Sequence, residues 1–259
     1  PTTWLTPTKR DKPMIRVGIL GAAGYTGGEL IRLLLNHPEA QIVFANSESN
    51  AGNPVSDVHE GLIGDTDLLF TDQMPFDKVD VVFFCFGHGK SQQFLAEHKI
   101  PEGVKIIDLA QDFRIKGPHD YVYGLPEINK SAIEQAKHLA NPGCFATAIQ
   151  LALLPAAAMG LLTEDVSVNA ITGSTGAGQK PSSTTHFSWR MGNLSIYKPF
   201  THQHLAEIRQ SIQQVQGHLE ASIDFIPYRG DFARGIFCTP VITTQAPAED
   251  VISGHKELY

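Results

Sequence analysis

The chain has 259 residues, 42% of them hydrophobic, enough for one large core or two ordinary ones, and two domains are expected. Against 27 acidic residues stand 20 basic ones, for a formal charge of -7, and no run of five or six Lys or Arg occurs, so neither nucleic acid nor an anionic membrane surface is the expected partner. Three cysteines make neither a disulfide framework nor a zinc-like spacing, no apolar run nears the roughly 18 residues of a bilayer span, and no apolar leader precedes a cleavage site, all of which point to the cytoplasm.

Residues 1–13 are polar, carry three prolines and have no period, and they read as a disordered lead-in or the remnant of a tag or targeting segment. The fold should begin near Met14. Residues 15–20 form an apolar run followed by a glycine-rich turn, and 29–36 place Leu30, Ile31, Leu33, Leu34 and Leu35 as a buried helix would. Residues 41–46 (QIVFAN) then read as a strand, completing a βαβ unit. The runs at 79–86 (VDVVFFCF) and 104–109 (VKIIDL) are continuous rather than alternating, as strands covered on both faces of a parallel sheet are, with a crossover helix at 91–98. Residues 14–143 are therefore expected to be an α/β doubly wound, Rossmann-type domain.

After Asn141 the pattern changes. A helix at 145–159, a strand at 166–172, a polar Gly/Ser/Thr loop, a helix from about His204 to Gln216 and strands near 223–228 and 235–244 suggest an α+β domain over 144–259. Pro247 followed by Glu249 and Asp250 starts a last helix; residues 251–259 bring no C-cap, so this helix is expected to be cut short and the domain incomplete.

Gly21, Gly24 and Gly27 follow the first strand in a G-x-x-G-x-x-G spacing that opens a helix. Such glycines let a backbone approach a pyrophosphate at a helix N-terminus; the bland alternative is a turn without a ligand, which the βαβ context disfavours. At the end of the second strand Glu48 would bind a ribose 2'-hydroxyl and favour NAD, whereas the hydroxyl and amide groups around it would surround a 2'-phosphate and favour NADP.

Cys144 follows an Asn-Pro-Gly bend and opens an apolar helix, where unpaired N–H groups and the helix dipole should depress its pKa and make it nucleophilic. Cys85 and Cys238 sit inside apolar runs and are expected to be inert packing. His202 and His204 begin a helical pattern, and either suits proton transfer with the thiol. Residues 173–181 offer an anion nest or, more plainly, a flexible connection. Arg114, after a strand C-terminus, is a candidate clamp for a carboxylate or phosphate, with a surface ion pair to Asp112 or a neighbour as the equal alternative.

Taken in order, GAAGYTGGEL, FGHGKS, DLAQDFR, YGLPE, NPGCFAT, GSTGAG and HQHLAEI closely resemble the N-acetyl-gamma-glutamyl-phosphate reductases of arginine biosynthesis, from about Ile15 to about Thr244. The resemblance implies a Rossmann domain joined to a glyceraldehyde-phosphate-dehydrogenase-like catalytic domain, NADP(H), a small acyl-phosphate substrate and a homodimer or homotetramer. It implies Cys144 as nucleophile with His202 or His204 as its acid-base partner. Gly21, Gly24, Tyr25, Thr26, Gly27, Ser47, Ser49, His88 and Gly176 would hold the cofactor. Arg114, Asn141, Ser174, Lys180 and Glu207 would hold the substrate. Two features depart from the family: Gln179-Lys180 stands where an Arg often follows the GSTGAG-like loop, and the family continues past Tyr259 with strands and a final helix. Aspartate-semialdehyde dehydrogenases and the carrier-protein-linked reductase of lysine synthesis share this chemistry, though YGLPE and HQHLAEI favour the arginine branch. A non-catalytic dinucleotide-binding protein is the alternative of another class.

Overall fold

A computed structural model describes residues 13–259, so all of the expected lead-in but Pro13 lies outside the described residues. The chain divides into two compact units, one reaching Phe86 and including Phe94–Ile107, the other formed by Gly87–Gln93 and Asp108–Tyr259. Residues 108–143 thus group with the second unit rather than with the first.

In the first unit, β1 (Ile15–Leu20), α1 (Tyr25–Leu35), β2 (Ala40–Asn46), β3 (Phe70–Thr71), β4 (Val81–Phe84), α2 (Lys90–Glu97) and β5 (Lys105–Asp108) follow one another, α2 and β5 running on across the division. The strands lie in the order β3-β2-β1-β4-β5, with β1 parallel to both β2 and β4. Apolar β1 is central, and Val17 and Ile19 pack with Ile31, Ala45, Phe70 and Val81 into the core of this unit. The expected doubly wound order is present, with the runs at 79–86 and 104–109 narrowing to four residues each.

Two details of α1 differ from expectation. The helix starts inside the glycine motif, with Gly24 as its N-cap. Glycine here allows close packing: a Cβ on Gly27 would lie 2.5 Å from the Ala22 carbonyl oxygen, and one on Gly28 equally close to the His59 ring. Of the five apolar residues expected to be buried, only Ile31 is, whereas Leu33 is 58% exposed and Leu35 also faces solvent. A run of consecutive apolar residues encircles a helix, and only one face can meet the sheet.

The second unit contains β6 (Val122–Tyr123), α3 (Pro126–Gln135), β7 (His138–Ala140), α4 (Cys144–Ala158), β8 (Val166–Thr172), α5 (Phe187–Arg190), β9 (Ser195–Ile196), α6 (His204–Gln216), β10 (Ile223–Arg229), β11 (Ile236–Val241) and α7 (Ala248–Leu258). Strands β6 and β7 are parallel, and the Asn141 N–H continues from β7 to the Asp108 carbonyl at 2.8 Å. A mixed sheet runs β11-β8-β10-β9. Along β8, Val166, Val168 and Ala170 alternate inward and meet Phe145, Ile149 and Leu153 of α4 and Ile208 and Ile212 of α6. Each of these side chains other than Ala170 contributes about 1.5–3 kcal/mol through its burial. This packing fixes the start of α4 against the start of α6. Helix α7 forms after Pro247 with Glu249 and Asp250 in its first turn. Among the described residues no helix is long and apolar enough to cross a membrane.

Gly27→Ala is expected to cost about 1–3 kcal/mol through overpacking against the Ala22 backbone and to weaken dinucleotide binding at least about tenfold. Thermal melts and a dinucleotide titration check this, and parental values in both would contradict the close-approach role.

Candidate active site

Cys144 is the first residue of α4, with Gly143 as N-cap. Gly143 has an ordinary negative φ, so it is not needed for backbone freedom. It is needed for space, because a Cβ would stand 2.4 Å from Nε2 of His204. The imidazole of His204 therefore lies directly against the residue before the exposed thiol.

His204 and Glu207 share a face of α6 one turn apart, with Nε2 3.9 Å from Oε1. Glu207 is only 3% exposed and organises the surroundings. Its Oε1 accepts from Nη1 of Arg114 at 3.1 Å, and its Oε2 accepts from the Tyr123 hydroxyl and from the Gly143 N–H, both at 2.8 Å. Gln150 of α4 donates to the Tyr123 hydroxyl, and Nη2 of Arg114 donates to the Leu109 carbonyl. A buried charge is tolerable only when paired and hydrogen-bonded, and this one carboxylate ties α6 to the loop after β5, to β6 and to the bend before Cys144. Burial and the Glu207 charge hold the Tyr123 phenol far above its usual pKa, so it stays a donor.

The alternative pairing of Arg114 with Asp112 does not form. Asp112 instead accepts the N–H groups of Gly89, Ser91 and Gln92 at the start of α2, an N-terminus that favours a carboxylate. Fully buried Asp108 accepts from the Ser91 hydroxyl at 2.6 Å and the Ala110 N–H. Burial raises its pKa.

The thiol departs from expectation. Although Cys144 is exposed, the surrounding protein desolvates it and pushes its pKa up. The Phe145 N–H, the Arg114 charge and its own N–H pull it down, and the Glu207 charge opposes them. Desolvation outweighs the helix start. Burial also drives His202 down to about 4 and His204 down to about 3, helped respectively by the neighbouring His204 and by Arg114. The resting pair is a neutral thiol beside neutral imidazoles. Nδ1 of His202 accepts the His204 N–H at 3.2 Å, while its ring packs edge-on to Phe145 and Phe225, so His202 is tied into the core. Cys85 and Cys238 are half-buried, and burial lifts Cys238 to about 11, in keeping with inert packing.

Other sequence candidates are dispersed. The loop after β8 is a 3-10 turn rather than an open nest: the Ser174 N–H and hydroxyl both donate to the Phe232 carbonyl, and the Thr175 hydroxyl donates to Ala233. Gly176 and Lys180 are exposed, and Lys180 makes no hydrogen bond or ion pair among the described residues. The Asn141 side chain turns onto the Pro142 carbonyl. Nδ1 of His88 accepts the Gln111 N–H, and burial with the Arg114 charge lowers the pKa of the ring. An open pocket of about 440 Å3 is lined by Gln92, Gln111, Asp112, Arg114, Gln203 and Glu207. Tyr123 and Gln150 were missed as supports, although YGLPE contains the tyrosine. Lys198, just before the histidine pair, has an unusual backbone, with φ at 45°, that leaves no clear mark in the sequence. Among the described residues no cluster of His, Cys, Asp and Glu could hold a metal ion.

In the first unit, Gly21 at φ +70° passes so close to the Cys85 carbonyl that a Cβ would sit 2.7 Å from it. No side chain caps α1 and its first turn holds no acid, leaving the N–H groups of Tyr25, Thr26 and Gly27 free of intrahelical partners. That is a cradle fit for a pyrophosphate. At the end of β2 the Asn50 amide donates to the hydroxyls of Ser47 and Ser49.

Because the thiol pKa is raised, the alkylation rate of the free protein by iodoacetamide should climb through pH 9. A plateau near pH 7 would instead reveal a pre-formed thiolate.

Residues 16–136 match the model of the semialdehyde dehydrogenase NAD binding domain, and residues 144–259 that of the semialdehyde dehydrogenase dimerisation domain. N-acetyl-gamma-glutamyl-phosphate reductases from Bacteroides thetaiotaomicron and Phocaeicola vulgatus are 62% and 60% identical over 95% of this chain, which spans 77% of each. The fold matches aspartate semialdehyde dehydrogenase II from Vibrio cholerae at a TM-score of 0.69 and 18% identity, over 94% of this chain and 79% of that one. It also matches aspartate semialdehyde dehydrogenase with NADP from Candida albicans at 0.67 and 16%, over 93% and 75%.

Proposed function

Since the chain belongs to the N-acetyl-gamma-glutamyl-phosphate reductases within the semialdehyde dehydrogenase family, we propose that it reduces an N-acyl-glutamyl 5-phosphate to the 5-semialdehyde with release of phosphate, using NADPH, in arginine biosynthesis. The observation that carries the reading is the exposed Cys144 at the start of α4 with the His204 ring against Gly143.

The Cys144 sulfur attacks the acyl carbon, forming a C–S bond as the C–O bond to phosphate breaks. His204, neutral at pH 7, takes the thiol proton as attack proceeds. The N–H groups of Cys144 and Phe145 favour the developing thiolate, so the nucleophile is generated on demand. Bound NADPH would supply a hydride to the thioester carbonyl carbon. Collapse of the resulting thiohemiacetal expels the sulfur, which recovers its proton from His204, and the departed phosphate takes one from solvent. Glu207, expected to read the substrate, acts instead as a positioning residue, its oxygens occupied by Arg114, Tyr123 and Gly143. The pocket beside Arg114 receives the substrate's polar groups.

Gly21, Gly24, Tyr25, Thr26 and Gly27 hold the pyrophosphate, and Ser47 and Ser49 face the 2'-phosphate. Residues 14–107 serve the nucleotide, while residues 108–143, which bring Arg114 and Tyr123 to Glu207, join 144–259 in the catalysis. The match to a dimerisation domain supports a homodimer or homotetramer, and the enzyme works in the cytoplasm.

Cys144→Ser is expected to lower phosphate-dependent NADP reduction by the semialdehyde at least about a thousandfold while NADPH still binds. Near-parental turnover would exclude covalent catalysis at this residue. Ser49→Glu, by repelling a 2'-phosphate, should shift the NADPH-to-NADH ratio of kcat/KM at least about tenfold towards NADH. An unchanged ratio would move the 2'-phosphate site elsewhere.

A further inference from the structure

We propose that Lys198 and the unpaired Nε–H of Arg114 form the subsite for the phosphoryl group of the substrate, and for inorganic phosphate in the reverse direction. The inference rests on the acyl-phosphate reading above.

Lys198 and Phe200 are the two non-glycine residues with left-handed backbones among those described, at φ 45° and 61°, and both precede the histidine pair. Such conformations are unfavourable for bulky side chains and persist only where the surroundings impose them. Here β10 does so, since the Tyr197 N–H is held by the Pro227 carbonyl and the Phe200 N–H by the Phe225 carbonyl. A surface lysine serving only solubility needs no such backbone. This one carries its ammonium to 3.3 Å from Oε1 of Gln203, and its charge helps to lower the pKa values of His88, His202 and His204. Among the described residues no carboxylate pairs with it.

Gln203 and Arg114 line the same pocket. Arg114 is 95% buried, since only 5% of its surface is exposed, and Nη1 and Nη2 are spent on Glu207 and the Leu109 carbonyl, while Nε has no partner. Its end-on fork, the natural match for a planar carboxylate, is therefore already occupied. What remains is the unpartnered Nε–H of Arg114 and one compact ammonium that no carboxylate among the described residues neutralises. That combination suits a tetrahedral, doubly charged phosphate, whose departure from the acyl carbon a cation assists.

The test is calorimetric titration of inorganic phosphate into the parent, Lys198→Met, Lys198→Arg and, as a charge control on exposed α3, Lys130→Met. Lys198→Met should bind phosphate about tenfold more weakly, the size of one charge-assisted hydrogen bond, with Lys198→Arg partly restored and Lys130→Met unchanged. In the oxidative assay the same variant should raise the phosphate KM about tenfold and leave the semialdehyde KM within about twofold. Equal phosphate affinity in the parent and Lys198→Met, with both melting alike, would overturn the subsite, as would a rise confined to the semialdehyde KM, which would assign the cation to a carboxylate. Phosphate binding through Lys198 without phosphate-dependent NADP reduction by the parent would keep the subsite and reject the reaction.

Discussion

The buried carboxylate of Glu207 is the interaction on which the second unit's chemistry depends. Three parts of the chain distant in sequence converge on it, Arg114 after β5, Tyr123 in β6 and Gly143 before α4, and its helix neighbour His204 lies one turn away. Removing the carboxylate alone would strand Arg114 as an unpaired buried cation, a far larger penalty than the loss of one hydrogen bond. Because the Gly143 N–H is one of its donors, Glu207 also sets the position from which Cys144 enters its helix. Packing of α4 and α6 on the mixed sheet supplies the rigidity that makes such placement reproducible.

The same burial that makes Glu207 an effective anchor shapes the reactive groups. A helix start lowers a thiol pKa when the thiol is well solvated, yet here desolvation of Cys144 outweighs it and raises the pKa, while the same burial drives the histidines down. The two effects reinforce one another: a thiol that keeps its proton is inert towards stray electrophiles, and a neutral imidazole beside it can accept that proton when an acyl carbon arrives. Catalytic power then comes from placement rather than from a standing thiolate.

Much of this was legible in the sequence because the relevant signals are local. The Pro-Gly bend before an apolar helix located Cys144, and the continuous apolar runs located β4 and β5 of a parallel sheet. Strand β8 and helix α6 were placed in the sequence with their observed bounds. What was hidden depends on long-range contact. Two- and three-residue strands such as β3, β6 and β7 carry no periodicity. The partner of Arg114 lies 93 residues away, so nearby Asp112 was an equally good guess until α2 claimed it. Leu33 looked buried because an apolar run does not say which face of a helix meets the sheet. The thiol's pKa was misjudged because desolvation belongs to the assembled surroundings, whereas the helix start is visible in the sequence.

The claim that unites these observations is that Cys144 carries the acyl group between phosphate loss and reduction. Intact-protein mass spectrometry after mixing the chain with its acyl phosphate, in the absence of nicotinamide, tests it most directly. The account predicts one added acyl group, mapped by peptide analysis to Cys144 and discharged when NADPH is supplied. A protein that turns over in the complete mixture yet never carries that group, or carries it on another residue, would contradict the account.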